Sequence, residues 1–512
     1  MIFLPIVGRE LRVAARRRGV VFARLAAATL AVLAGGWRLW FAGDWPTTAS
    51  LGATMFYTLV SLAFVLCLTA GPLFTADAIS EEKREGTLGL LFLTDLRGYD
   101  VVLGKFTAHS ITALSCLVAI LPVLAIPILI GGVSLQSFVQ AALALGNALF
   151  FSLAVGILVS SFCIHPRTAF AVTIFVLFLL AGFLPWLTSS FGVVFSPSFP
   201  VSLVLGQGHR GDFWLSLLLT HLMGWGFLAW ASHVVPLLWH EQPAATGVAR
   251  WRERIHEWSF GAPRERQAMR ARLLDRNPVL WLGSRNRLKT SILWWFIGVT
   301  LVVWLACCLV LARDSWSWGL TLIVAAFFQI MLKWLMASEA TTRWVEDHQS
   351  GAVELLLTTS MSAEEILHGH MLALRRMFGL PALALGVVEL ASLAAGARIS
   401  RFERDAGILA LTFLIVFFSD LRTLAWVGTW QSMLRRRANR AFLHALLRVL
   451  VLPWFIFGLF IFLGAPSEGG TVAFVFFLIC GITNVVLYKT SRDGLRNGFR
   501  LAAAEQYQTG RS

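Results

Sequence analysis

Apolar runs of about 20 residues, enough to cross a bilayer's hydrocarbon layer as a helix, recur from one end of this sequence to the other. No water reaches the bilayer core, so each backbone N–H and C=O in such a run must be satisfied within the segment, and that demands a helix or a closed barrel. Runs this long and this uniformly apolar are helices rather than the shorter alternating strands of a barrel. About twelve reach that length: residues 20–41, 51–75, 106–130, 135–162, 167–189, 213–239, 290–312, 316–338, 371–396, 406–430, 441–464 and 470–488. The composition agrees, at 57% hydrophobic and 14% charged, against about 25% charged in soluble domains. The fold class read from this pattern is all-α, a polytopic membrane protein.

The formal net charge of +15 follows the membrane rather than nucleic acid. With the N-terminus inside and the loops alternating, roughly 31 of the 43 Lys/Arg fall on the inner side and about 5 on the outer side, as cytoplasmic loops require. Both termini are therefore expected in the cytoplasm. The N-terminal apolar run continues to Phe41, longer than a signal-peptide core, and reads as the first span, with Arg24 snorkelling to the inner face. The six cysteines, Cys67, Cys116, Cys163, Cys307, Cys308 and Cys480, lie in or beside spans without metal spacing and read as small buried hydrophobes.

The chain repeats itself. LPIVGRELR from Leu4 and NPVLWLGSRNRLK from Asn277 each place a Pro before a basic, amphipathic stretch and then a span. After two spans each half reaches an insert: REGTLGLLFLTDLRGYDVVLGK, Arg84 to Lys105, and QSGAVELLLTTSMSAEEILHGH, Gln349 to His370. These align without a gap (351 − 86 = 265 and 369 − 104 = 265), matching Gly86 to Gly351, Leu90 and Leu91 to Leu355 and Leu356, Thr94 to Thr359, and Gly104 to Gly369. Four further spans follow each insert. The division is 1–240 as the first six-span repeat, 241–276 as an Arg-rich linker, 277–489 as the second repeat and 490–512 as a basic tail. Both halves begin on the same side, so this is a parallel repeat about the membrane normal.

Within the first insert, Glu81 and Glu82 sit where a short helix would begin and acids suit the dipole. Gly86 permits a sharp bend, and Asp95 to Gly98 reads as a turn. In the second, Ser362 and Glu365 fit a capping box that starts the next helix. Each insert is expected to be a pair of short helices. Gly98 to Lys105 imitates a phosphate-binding loop, but it has one residue too many and Phe106 where Ser or Thr belongs.

EEKREGTLGLLFLTDLRGYDVVLGK resembles the signature of type-2 ABC transporter permeases, the membrane subunits of ATP-driven exporters. Gly86, Thr87, Leu88, Leu90, Thr94, Leu103, Gly104 and Lys105 match, and Gly89 stands where the family usually has Glu. In the second copy Glu354 restores that Glu, while Ala352 replaces Thr and His370 replaces Lys. The resemblance implies a fused, two-repeat exporter-like permease. Its ATPase-coupling residues would be Glu81, Glu82, Glu85, Gly86, Thr87, Leu90, Leu91, Thr94, Gly104 and Lys105, then Glu346, Asp347, Gly351, Glu354, Thr359 and Gly369. It implies cytosolic ABC ATPase subunits, as a dimer, for partners. ATP would be bound there, with no cofactor in this chain. Membrane lipid and an exported substrate complete the expected partners, with no nucleic acid, in a plasma membrane of the bacterial inner-membrane kind.

Charges inside spans are costly and often functional. Of Lys333, Arg375, Arg376, Glu389, Asp420, Arg422 and Arg448, most lie close enough to span ends to snorkel. Glu389 and Asp420 lie deeper. One reading makes them an interhelical pair, such as Asp420 with an Arg; another places them on a substrate path. His368 and His370 are a weak metal spacing. Ser190 to Asp212, broken by Pro197 and Pro200, is too short to cross twice and is expected outside or dipping back against protein. Two rival functions remain at this level: a polytopic membrane enzyme such as a glycosyltransferase, and a non-transporting anchor for an ATPase.

Overall fold

The computed structural model describes residues 7–8, 12, 18–40, 48–93, 96–163, 166–183, 192–206, 212–239, 263–284, 293–295, 297–299, 302, 318–349, 351–399, 404–435, 438–462 and 469–509. Among them every regular element is a helix. The chain divides into two compact units, Met1–Gln242 and Pro243–Ser512.

In the first unit the helices are α1 Arg18–Trp40, α2 Thr48–Phe74, α3 Ser80–Arg84, α4 Thr87–Phe92, α5 Gly98–Ile130, α6 Leu135–Phe162, α7 Pro166–Leu177, α8 Phe199–Val204 and α9 Phe213–Trp239. Helix α6 is the centre. Its window of highest hydropathy is 78% buried, against 39% or less for the other long spans of this unit, and α2, α5, α7 and α9 all pack on it. Small residues allow close approach: an added Cβ on Gly71 would lie 2.1 Å from the Ser152 carbonyl oxygen. Helix α7 opens into a wide π turn at Phe178–Phe183.

The second unit holds α10 Pro263–Leu274, α11 Pro278–Ser284, α12 Trp318–Gln349, α13 Ala352–Leu357, α14 Ala363–Ile399, α15 Arg404–Leu434, α16 Ala438–Leu446, α17 Leu452–Phe462 and α18 Gly469–Thr509. Helix α15 is central here, packed against α12, α16 and α18. A second π turn, Leu447–Val451, joins α16 to α17. The Arg-rich stretch expected as a linker ends in α10, whose Leu273 packs on Leu280 and Ala373.

Eight described helices are long and apolar enough to cross a membrane, and two shorter apolar helices span Val21–Trp37 and Pro166–Gly182. Helix α12 covers the expected run 316–338 and extends beyond it; the run 290–312 lies largely outside the described residues. The chain is an all-α, multi-pass membrane protein. The segment after α7 does not span. The turn Gly192–Phe195 and α8 pack against protein, Ser196 Oγ donating to the Leu180 carbonyl (2.8 Å) and Ser216 Oγ to that of Val194 (2.7 Å).

Candidate functional site

The two inserts are built to one plan. Gly86 and Gly351 both take positive φ, +69° and +73°, a backbone state that L-residues with a Cβ rarely hold. Each turns the chain into a six-residue helix, α4 or α13. The same register then delivers a cap at the start of the next long helix. In the second insert it is the expected capping box: Ser362 N–H donates to Glu365 Oε2 (2.8 Å), and Glu365 N–H to Ser362 Oγ (3.2 Å). In the first, Arg97 N–H donates to Asp100 Oδ2 (3.1 Å) at the matching positions. Leu90 and Leu355, also matched, point outward at 62% and 71% exposure.

The first insert is anchored on the end of α6. The backbone N–H groups of Ile79 and Ser80 donate to Ser160 Oγ (2.9 and 3.1 Å), satisfying donors that a helix N-terminus leaves open. Lys83 Nζ donates to the Ser161 carbonyl, and Arg84 makes a fork onto Asp77 (2.7 and 3.1 Å). Burial lowers the Lys83 ammonium from its ordinary range. It also pushes the neighbouring Cys163 thiol up to about 11, against the pull of Lys83.

Glu82 and Lys105 meet as a buried ion pair at 2.7 Å. Thr87 Oγ donates to the same carboxylate. These three residues therefore tie α3, α4 and α5 together. Lys105 sits inside α5 with its charge on Glu82, and Gly98 opens that helix, so the phosphate-loop imitation has no loop geometry. Glu81 lies in the first turn of α3, and Glu85 caps its end in an exposed position. Gly104 is buried in α5. Leu91 lies in α4 with its side chain undescribed, and Thr94 is outside the described residues.

In the second insert, Glu346 is exposed and Asp347 half-buried near the end of α12. Glu354 lies in α13, its side chain undescribed; Thr359 is exposed and donates to the Leu356 carbonyl (2.6 Å). Gly369 has a steric role: an added Cβ would fall 2.2 Å from Asn277 Oδ1. That oxygen accepts from the Val279 and Leu280 N–H groups (2.8 and 3.2 Å), while Asn277 Nδ2 donates to the Glu365 carbonyl (2.8 Å). His370, at the position of Lys105, is buried against Trp344 with ring centroids 5.2 Å apart, and His368 is exposed. The two histidines do not converge.

A second cluster lies inside the helices of the second unit. Lys333 of α12 binds Asp420 of α15 at 2.7 Å. Asn484 of α18 donates to the other Asp420 oxygen (2.6 Å), and Gln329, one turn from Lys333, donates to Glu389 Oε2 of α14 (2.8 Å). All five are at most 8% exposed. The Arg expected beside Asp420 is instead a lysine. Lys333 does not snorkel, because a buried carboxylate on the next helix offers its ammonium a closer partner than the interface does. Gln329 and Asn484 carry nothing in sequence that marks them; only their positions on facing helices bring them here.

The family model described as ABC-2 family transporter protein matches residues 17–228. No curated protein matches the chain. The matched region runs from the N-terminus of α1 into α9 and contains the whole first insert: the first unit of this membrane protein is a type-2 ABC transporter permease domain.

Proposed function

We propose that the chain is the membrane subunit of an ATP-driven exporter, and that both inserts receive the motion of separate ABC ATPase subunits, a pair of them, on the cytoplasmic side. One observation carries this reading: each unit presents an outward leucine on a six-residue helix behind a left-handed glycine, at the same offset. A solvated loop needs neither the repeat nor the exposed apolar tip, whereas a groove on a partner takes both. The buried anchors behind the tip would transmit force to α5 and α6 in the first unit. The second repeat, 277–489, works as another permease half, and the cluster around Glu389 and Asp420 lines the route of the exported substrate.

An ABC ATPase co-expressed from the same gene neighbourhood should co-purify with the wild-type chain. Leu90→Asp combined with Leu355→Asp should abolish that association while expression and melting of the membrane chain stay unchanged. Undiminished association would sink the coupling role. Glu85→Ala should lower hydrolysis by the complex more than Ser350→Ala, since Glu85 can form a charge-assisted hydrogen bond, roughly twice as strong as a neutral one.

A further inference from the structure

One turn beyond the Asp420–Asn484 hydrogen bond, the α15–α18 seam reaches the surface. There Arg422 Nη2 donates to the Tyr488 hydroxyl oxygen at 3.1 Å, and Arg492 Nη1 approaches the same oxygen at 3.4 Å. Both guanidiniums also lie over the Tyr488 ring, 4.5 and 5.9 Å from its centroid. Trp426 fixes that ring from its edge at 5.7 Å. Two positive charges are thus gathered on one phenol. Among the described residues, neither guanidinium has a carboxylate within ion-pair distance.

The depth of this cluster can be read from what surrounds it. Large apolar side chains are exposed along α15 at Ile408, Leu411, Ile415 and Phe418, then none until Leu434. On α18 they run from Phe474 to Val486 and stop, and Lys489 is exposed. The cluster therefore sits where the lipid-facing surface ends, the level of the headgroups, where aromatic and basic residues concentrate. Like charges held together there are stable only with an anion between them. Guanidinium forks suit phosphate oxygens. The Tyr488 oxygen accepts from both arginines, which leaves its O–H free to donate to the same anion.

We propose that Arg422, Tyr488 and Arg492 form a binding site for the phosphate of an anionic phospholipid, seated against α15 and α18 at the edge of the bilayer. The aromatic floor and the apolar rows of α15 and α18 accommodate the acyl chains, which a free phosphate does not have.

The test is the melting temperature of the purified full-length chain in an uncharged detergent, titrated with phosphatidylglycerol, phosphatidylcholine or inorganic phosphate. Phosphatidylglycerol should raise the melting temperature saturably, while the other two at equal concentration should not. Arg422→Gln should raise the concentration for half-maximal effect about tenfold, which is about 1.4 kcal/mol. Arg492→Gln should act in the same direction, and Tyr488→Phe, which keeps the ring but not the hydroxyl, should act less. An equal response to inorganic phosphate or to phosphatidylcholine would overturn the proposal. So would a phosphatidylglycerol response unchanged in Arg492→Gln and Tyr488→Phe, two variants that report even if Arg422→Gln does not fold.

Discussion

The two units solve the same packing problem with opposite chemistry. In the first, helices meet backbone to backbone: an added Cβ on Gly52 or Gly71 would collide with a main-chain carbonyl of the neighbouring segment, at 1.9 and 2.1 Å. The polar contacts between α6 and α9 carry no charged side chain. Asn147 Nδ2 donates to Thr220 Oγ (2.6 Å), and the Trp225 N–H donates to His221 Nε2 (3.1 Å), leaving His221 Nδ1 to donate to Asn147 Oδ1 (3.1 Å). In the second unit the described glycines meet side chains instead, as Gly428 meets the Ala340 methyl at 2.9 Å. The helices there are joined through Lys333, Asp420 and Glu389. Where backbones touch, packing alone specifies the pairing. Where they stand apart, a polar seam holds them, at a desolvation cost that stability alone does not explain. The first arrangement suits a rigid scaffold, the second a set of helices whose contacts can be exchanged.

The contrast can be broken experimentally. Lys333→Met leaves the Asp420 charge buried without its ion, which should cost about 3–5 kcal/mol and appear as a large fall in melting temperature of the detergent-solubilised chain. Adding Asp420→Asn should recover most of that loss, because the amide oxygen this change introduces can still accept from Asn484; if the double variant is no better than the single one, charge is not what the seam balances. Gly71→Ala should come next, at about 1–3 kcal/mol from overpacking against a carbonyl that cannot turn aside. Gly428→Ala, facing only a methyl, should cost clearly less in the same melting assay, and equal losses would erase the steric half of the comparison. The smallest effect belongs to the inserts. Glu365→Ala removes one arm of a capping box and should cost about 1 kcal/mol, seen as faster amide exchange at the start of α14 with the rest of the chain unchanged.

Much of this architecture is legible in the residues. Apolar length marks α6 and α9 to the residue, because nothing but a span has that composition. Gly86, Gly351, Ser362 and Glu365 announce their geometry, since a left-handed turn and a helix cap each depend on local chemistry a few residues wide. What stays hidden is pairing at a distance. Glu82 looks like an exposed helix-dipole acid and Lys105 like a motif terminus, yet α3 and α5 fold together and bury both. Asp420 is conspicuous, but Asn484 and Gln329 are not, and the choice of Lys333 over an arginine follows from how α12 and α15 face each other. Burial of His370 is equally silent, for its sequence neighbours are the same as those of the exposed His368.

The π turns at Phe178–Phe183 and Leu447–Val451 interrupt apolar helices in both units. A widened turn is, in helical arithmetic, one surplus residue carried without breaking the rod. Deleting a single residue there would let the helix close into regular α form and rotate everything beyond it by about 100°. The side chains that now face protein would then face lipid. At these two places, then, the number of residues matters as much as their kind, and a variant one residue shorter would differ more than any single substitution could make it.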